Sequence, residues 1–190
     1  MNTLFPIEYP APAGFEYIPG FLTEDEEKRL LNEISKIELH NLLFQGYEAK
    51  RKTASFGMDW SFEKKQLSKG KEIPPGFLPL LQKVSGELKI KVESFAELLI
   101  TEYPVGSVIN WHRDAPPFDI IAGISLKSDC NFKFRPHDKN LQGRNSIVSI
   151  PVTRRSLYVM KGASRTEWQH SVAPVRQIRY SITLRTLKLQ

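Results

Sequence analysis

The hexapeptide Ile109-Asn110-Trp111-His112-Arg113-Asp114 decides how this chain is read. Apolar and polar residues alternate in it, which is the pattern of a strand. On a strand, side chains at i and i+2 point to one face, so His112 and Asp114 project together with backbones about 7 Å apart. Their tips can converge on one ion. An imidazole and a carboxylate are two parts of the two-His-one-carboxylate set that holds non-haem Fe(II) and leaves coordination positions open. Such a set needs a second histidine. Of the four in the chain, His40 and His137 stand in polar, loop-like surroundings, and His170 lies in the strand-like segment Trp168-Gln169-His170-Ser171-Val172.

Around that stretch, short alternating runs with turns between them predict strands at 96–103, 108–113, 119–127, 130–135, 146–150, 156–160, 167–173 and 177–187. So many short strands in succession read as a jelly roll or barrel, whose open mouth lets side chains from several strands meet at a metal. The run Arg179-Tyr180-Ser181-Ile182-Thr183-Leu184-Arg185 alternates strictly. Arg179, Ser181, Thr183 and Arg185 share one face, and Tyr180, Ile182 and Leu184 share the other. Two arginines facing into a roll are costly unless anions meet them. They stand about 20 Å apart along the strand, too far to grip one end of a small molecule together. A dicarboxylate with one end on the metal and the other on Arg179 fits, because guanidinium binds carboxylate through two parallel hydrogen bonds. Arg185 then serves the metal end. The alternative is a pair of surface arginines on an edge strand.

The N-terminal half is helical in pattern. Thr23 and Glu26 form a potential capping box, acids fill the first turn, and Leu30, Leu31, Ile34 and Ile37 make an apolar stripe, so a helix is expected from 24 to about 37. A second is expected from about Phe77 to Ser94, with a possible break near Gly86. Between them, residues 44–65 interleave aromatics with bases: Phe44, Tyr47, Lys50-Arg51-Lys52, Phe56, Trp60, Phe62 and Lys64-Lys65. That is a stacking-and-phosphate surface for nucleic acid, or else a half-buried hairpin with its aromatics in the core. Lys64 to Glu72 reads as a mobile loop, and residues 1–20, rich in Pro and aromatics, as an extended segment.

With 190 residues, 41% of them hydrophobic, the chain is expected to form one domain over 1–190, its extension, helices and hairpin over 1–94 and its jelly-roll core over 95–190. The fold class is α+β. A lone cysteine, Cys130, excludes an internal disulfide and suits a reducing compartment, with a small buried side chain as its plain reading. Neither a signal-like start nor an apolar run of membrane length is present, so a cytoplasmic protein without a membrane partner is expected. The net charge of +6 is uneven: residues 1–40 hold eight acids and three bases, residues 151–190 eight bases and one acid. Such asymmetry points to an anionic partner, nucleic acid foremost, or to ordinary solvated basic surface.

These motifs together resemble the AlkB family of Fe(II)- and 2-oxoglutarate-dependent dioxygenases. The family pattern is His-x-Asp, a distant His, then Arg and a second Arg six residues on; here it is His112-Arg113-Asp114, His170, Arg179 and Arg185. Tyr103-Pro104-x-Gly106 resembles the strand whose Tyr helps bind the cosubstrate. Arg155-Ser156-Leu157-Tyr158-Val159-Met160 and Ala163-x-Arg165-x-x-Trp168-x-His170 resemble the run into the distal His. Phe56-Gly57-x-x-Trp60-x-Phe62 looks like part of a nucleotide lid. The resemblance implies a double-stranded β-helix, a metal site on His112, Asp114 and His170, and 2-oxoglutarate held by Arg179, Arg185, Tyr103 and Thr101. It implies substrate contacts from Arg51, Trp60, Trp111 and Arg113. Two positions depart from the pattern. Thr101 stands where the family has an Asn, and Pro116 where base-repair members carry an acid. The activity implied is oxidation of an N-alkyl carbon with 2-oxoglutarate and O2, giving succinate, CO2 and, from a methyl group, formaldehyde. Alkylated nucleic acid, single strands preferred, is the first substrate class. A protein or small molecule is the second, favoured by Pro116. A non-catalytic binding roll is the third and needs a broken motif.

Overall fold

The computed structural model of the chain describes residues 11–44, 47–61 and 64–188. Residues 1–10 of the expected extended segment, and Phe62 of the expected hairpin, lie outside the described residues. In chain order the first elements are β1 (Phe15–Ile18), α1 (Glu24–Ser35), β2 (His40–Phe44), β3 (Tyr47–Ser61), β4 (Gln66–Lys69) and α2 (Leu78–Leu88). There follow β5 (Phe95–Tyr103), β6 (Ile109–His112), β7 (Phe118–Leu126), β8 (Cys130–Pro136), β9 (Val148–Val152), β10 (Leu157–Met160), α3 (Ala163–Thr166), β11 (Trp168–Val172) and β12 (Arg179–Leu187). The eight strands expected from 96 onward are β5 to β12, with ends displaced by at most about two residues.

Two sheets make the roll. The larger has the order β1-β10-β7-β12-β5-β3-β2 with β4 added to β3; the smaller has the order β6-β11-β8-β9. Alternation in β5 and β12 decides what lies on each side of the larger sheet. Leu98, Ile100, Ile182 and Leu184 are buried with Leu30, Ile34, Leu80, Leu81 and Val84 of the two helices. Each such side chain contributes about 1.5–3 kcal/mol when fully buried. The opposite residues, Glu97, Thr101 and Tyr103 on β5 and Arg179, Ser181, Thr183 and Arg185 on β12, face the smaller sheet. There a second cluster, with Phe132, Phe134, Ile150, Val152 and Tyr158, fills the space between the sheets. The space between the sheets is therefore lined by polar residues of β5 and β12 and by this largely aromatic cluster.

The helices brace this floor from outside. The capping box of α1 is formed: Thr23 Oγ1 accepts from the Glu26 amide at 3.2 Å and Glu26 Oε2 accepts from the Thr23 amide at 2.7 Å. Glu27, fully buried, accepts from Arg154 Nε at 2.7 Å and from the Lys127 amide at 2.7 Å, tying α1 to the loops at the sheet edge. The second helix is shorter than expected. It runs through Gly86 without a break and stops at Lys89, whose left-handed backbone (φ 54°) turns the chain. Residues 64–72 are also not the expected mobile loop, because β4 pairs with the outer half of β3 from Met58↔Lys69 to Ser61↔Gln66. Gly57 is the pivot. Its φ is +86°, a Cβ there would overlap the Ala96 carbonyl of β5, and its amide and carbonyl bond to Lys71 and Gly70. Up to Gly57, β3 belongs to the main sheet; beyond it, the strand leaves with β4 as a hairpin.

Candidate metal centre

On β6 and β11, His112 and His170 are direct cross-strand partners. Their rings are 4.2 Å apart, centre to centre. Asp114 lies just past the end of β6, and its carboxylate joins them: ligand atoms of the three residues all lie within 4.8 Å of one another. His112 Nδ1 is 2.8 Å from the Asn110 carbonyl and donates to it, which leaves Nε2 bare toward the cluster. Stacking on Phe132, with centroids 5.3 Å apart, orients the His170 ring, and its Nε2 stands 3.5 Å from Asp114 Oδ2.

The electrostatics leave His170 and Asp114 in ligand form. Burial, then the neighbouring His112, pushes the His170 pKa down to about 3, so the ring is neutral. Burial opposes the charge on Asp114, yet Arg185 first, and then His170, His112 and Arg165, hold its carboxyl well below the usual range. Oδ1 of Asp114 accepts from Arg185 Nη2 at 2.7 Å. Oδ2 is buried and has no hydrogen-bond partner. A buried carboxylate oxygen without a donor is costly, and an ion between Oδ2 and the two bare imidazole nitrogens removes that cost. Two imidazoles and one carboxylate are the donor set for Fe(II) with open positions.

Arg185 reaches the metal end of the wall, as the spacing from Arg179 required. Its other nitrogen, Nη1, donates to Glu97 Oε2 at 2.7 Å, and Glu97 Oε1 accepts from Ser55 Oγ at 2.9 Å. A continuous chain, Ser55–Glu97–Arg185–Asp114, thus crosses β3, β5 and β12 to the candidate ligand. The guanidinium of Arg185 is engaged by two carboxylates through its Nη atoms, and its Nε is buried without a partner. Sequence reasoning misses Glu97, although its alternation with Thr101 and Tyr103 puts an acid on an inward face.

Arg179 is different. It is 1% exposed. Its Nε donates to Ser125 Oγ at 3.0 Å, its plane lies over the Tyr103 ring at 4.8 Å, and its Nη1 is buried without a partner. Among the described residues it has no carboxylate to pair with. A fully buried guanidinium with unused donors calls for an anion, and the carboxylate of a small acid matches its fork. Thr101 and Ser181 oppose each other on the same wall, and the Tyr103 and Ser181 hydroxyls lie 3.4 Å apart. Tyr158 packs its ring tip against Gly123, where a Cβ would overlap it.

The four residues expected at the substrate fare less evenly. Arg51 is half-buried, and the pairing of β3 with β5 sets it beside Tyr103. Trp60 is half-buried and packs with Leu67 on the inter-sheet cluster. Trp111 faces the outside of the smaller sheet, opposite to His112, with Arg135 over its ring at 4.6 Å. It does not border the metal cluster. Arg113 is exposed, and its Nη1 donates to the Thr166 carbonyl at 2.7 Å.

A roll with two histidines and an aspartate on the inner side of one sheet, and a buried arginine on the sheet that faces it, defines the class of Fe(II)/2-oxoglutarate oxygenases. The family model described as the 2OG-Fe(II) oxygenase superfamily matches residues 14–185, and the chain belongs to that superfamily. Within it the chain is of the AlkB family. It is 32% identical over 171 residues to the mouse protein named tRNA (carboxymethyluridine(34)-5-O)-methyltransferase ALKBH8, covering 86% of this chain and 24% of that protein. It is 30% identical over 139 residues to human DNA oxidative demethylase ALKBH2, covering 67% of this chain and 51% of that protein. The chain thus spans about a quarter of the first relative and about half of the second. The solved structure of OsALKBH1 superposes with a TM-score of 0.70 over 95% of this chain and 100% of that one, at 16% identity, a likeness of fold. The cofactors of the family, Fe(II) and 2-oxoglutarate, fit the orphaned Asp114 Oδ2 and the unpaired Arg179 of this chain.

Proposed function

We propose that the chain catalyses Fe(II)- and 2-oxoglutarate-dependent oxidative dealkylation of nucleic acid, DNA or RNA. The observation that carries the chemistry is the pairing, inside one roll, of an orphaned Asp114 oxygen beside two imidazoles with a buried Arg179 on the facing sheet that has no carboxylate partner among the described residues. His112, Asp114 and His170 would hold the ion. Arg185 takes the other oxygen of Asp114 and fixes the carboxylate plane. Arg179 would take the far carboxylate of 2-oxoglutarate through its fork, with the Tyr103, Ser125, Ser181 and Thr101 hydroxyls lining the same wall. Bound together, the ion and the keto acid would supply oxidation by O2, one oxygen atom going to the keto acid, which leaves as succinate and CO2, and the other converting a substrate C–H into C–OH. On an N-methyl carbon, the C–N bond of the hydroxylated product then breaks, its electron pair goes to nitrogen, which takes up the hydroxyl proton, and formaldehyde leaves.

Nucleic acid is favoured by the basic C-terminal third, by the β3–β4 hairpin beside the inter-sheet cluster, and by the likeness to a DNA oxidative demethylase. Pro116 favours a second reading, a protein or small-molecule substrate, because it offers no carboxylate to a cationic methylated base. The test is a panel of methylated single-stranded DNA, RNA and peptides, read as formaldehyde and substrate-dependent succinate. Formaldehyde from the oligonucleotides is expected. Formaldehyde from peptides alone would replace this reading with the second.

A further inference from the structure

Beside Asp114 the surface opens into a cleft of about 290 Å³, lined by Arg113, Asp114, Pro116, Arg165, Thr166 and Lys188. This is at the small end of ligand pockets, too little for a nucleotide and enough for one anionic group with its attachment. Its walls are tied together by side-chain and backbone bonds. Arg165 Nη2 donates to the Ala115 and Phe118 carbonyls, Arg113 Nη1 to the Thr166 carbonyl, and the Lys188 amide to the Pro117 carbonyl. Three cations from α3, the loop after β6 and the end of β12 are thereby rooted around one opening.

The cleft has more positive charge than its own acids answer. None of Arg113, Arg165 and Lys188 forms an ion pair among the described residues. Asp114, the one acid in the lining, spends Oδ1 on Arg185 and has its Oδ2 in the metal cluster. Arg165 is 6% exposed, and its Nε is buried with no partner. Burial lowers the Arg165 pKa, Asp114 and Asp119 work against that, and Arg185 and Arg113 lower it further. An incoming anion would satisfy the open donor and relieve the crowding of cations. Pro116 on the rim brings no competing carboxylate.

We propose that this cleft is a phosphate subsite, which takes the backbone phosphodiester next to the nucleotide offered to the metal. The proposal rests on the nucleic-acid reading above. A phosphate held here sets register and orientation without reading sequence. The substrate is then defined by where its alkyl group lies relative to one phosphate, and base identity matters little, in keeping with Pro116.

The experiment uses methylated single-stranded oligonucleotides in which one phosphate at a time is replaced by an uncharged methylphosphonate. Binding is followed by anisotropy with Fe(II) replaced by an inert divalent ion. One flanking position is expected to stand out, with a loss of about tenfold. In Arg113→Ala/Lys188→Ala, affinity for the unmodified strand is expected to fall, and the salt dependence to become shallower by about one unit for each phosphate no longer held. In that variant the same methylphosphonate should cost almost nothing further, because the coupling is gone. Arg165→Lys is the milder companion, since it keeps the charge while removing Nε. The proposal is overturned if no position stands out, or if the methylphosphonate penalty is as large in the double variant as in the parent. Turnover of oligonucleotides with either result would sink the subsite alone. No binding of any oligonucleotide, with 2-oxoglutarate still consumed, would sink the nucleic-acid reading and the subsite together.

Discussion

Replacing Glu97 should damage the protein twice, and the sizes can be worked from its contacts. Glu97 is 3% exposed and accepts hydrogen bonds from Arg185 Nη1 at 2.7 Å and Ser55 Oγ at 2.9 Å. In Glu97→Leu both bonds disappear, and a buried guanidinium keeps Asp114 as its sole carboxylate. Removing one partner of a buried ion pair costs about 3–5 kcal/mol. Asp114 Oδ1 still answers part of the Arg185 charge, so the lower end of that range is expected. Glu97→Gln retains an acceptor of nearly the same shape and loses the charge, which should cost about 1–2 kcal/mol. The order Leu worse than Gln worse than parent is to be read from urea midpoints at unchanged slope. The second damage is to the metal. Arg185 fixes Asp114, and disturbing such outer partners lowers metal affinity by about 10–100-fold. Fe(II) titration of the folded variants measures this. Glu97→Leu with parental stability and parental iron affinity would refute the idea that the Ser55–Glu97–Arg185–Asp114 chain supports the centre.

Arg179→Lys keeps the charge and loses the fork, so 2-oxoglutarate should bind about 10–100-fold more weakly with iron affinity nearly unchanged; equal cosubstrate affinity in a calorimetric titration would clear Arg179 of this role. Gly123→Ala forces the Tyr158 ring tip off its seat in the floor of the roll. A destabilisation of about 1–3 kcal/mol is expected, with weaker 2-oxoglutarate binding; an unchanged melting profile and affinity would mean that the ring moves without consequence. The metal-free protein should lose stability as pH falls below about 6.5, the ordinary value of the His170 ring, toward the depressed value of about 3. The sign follows because the unfolded chain takes up a proton on this ring that the folded chain refuses, and Asp114, with its lowered pKa, adds a loss in the same direction at lower pH. His170→Gln should flatten the first part of that decline, and a profile as steep as the parent's would assign it elsewhere.

The strands and the metal cluster are legible in the sequence because period-2 alternation ties each side chain to a face, and a face to the site. His112 with Asp114, and Arg179 with Arg185, need only that rule and the cost of buried charge. The capping box of α1 is equally plain, since Thr23 and Glu26 satisfy each other locally. What fails is whatever depends on the neighbour. Residues 64–72 read as a loop from their Lys and Gly content, yet β3 overshoots the sheet at Gly57 and gives β4 a partner. The end of α2 rests on a lysine in left-handed backbone, a conformation that no residue pattern announces. Trp111 is expected at the substrate from the resemblance, but as the neighbour of His112 on a strand it points to the opposite face. Arg51 is expected at the substrate, whereas the pairing of β3 with β5 carries it in beside Tyr103. Glu97 escapes notice because it lies in no recognisable motif; its importance comes from Arg185 across the strands.

The central claim is that His112, Asp114 and His170 hold an iron that consumes 2-oxoglutarate. Succinate release by the purified chain, with Fe(II), 2-oxoglutarate and O2 supplied, tests it most directly when parent and Asp114→Ala are run side by side with folding checked by circular dichroism. The parent should form succinate only when Fe(II) is present, and a folded Asp114→Ala should form none. Succinate at the parental rate from that variant, or iron-independent succinate from the parent, would contradict the account.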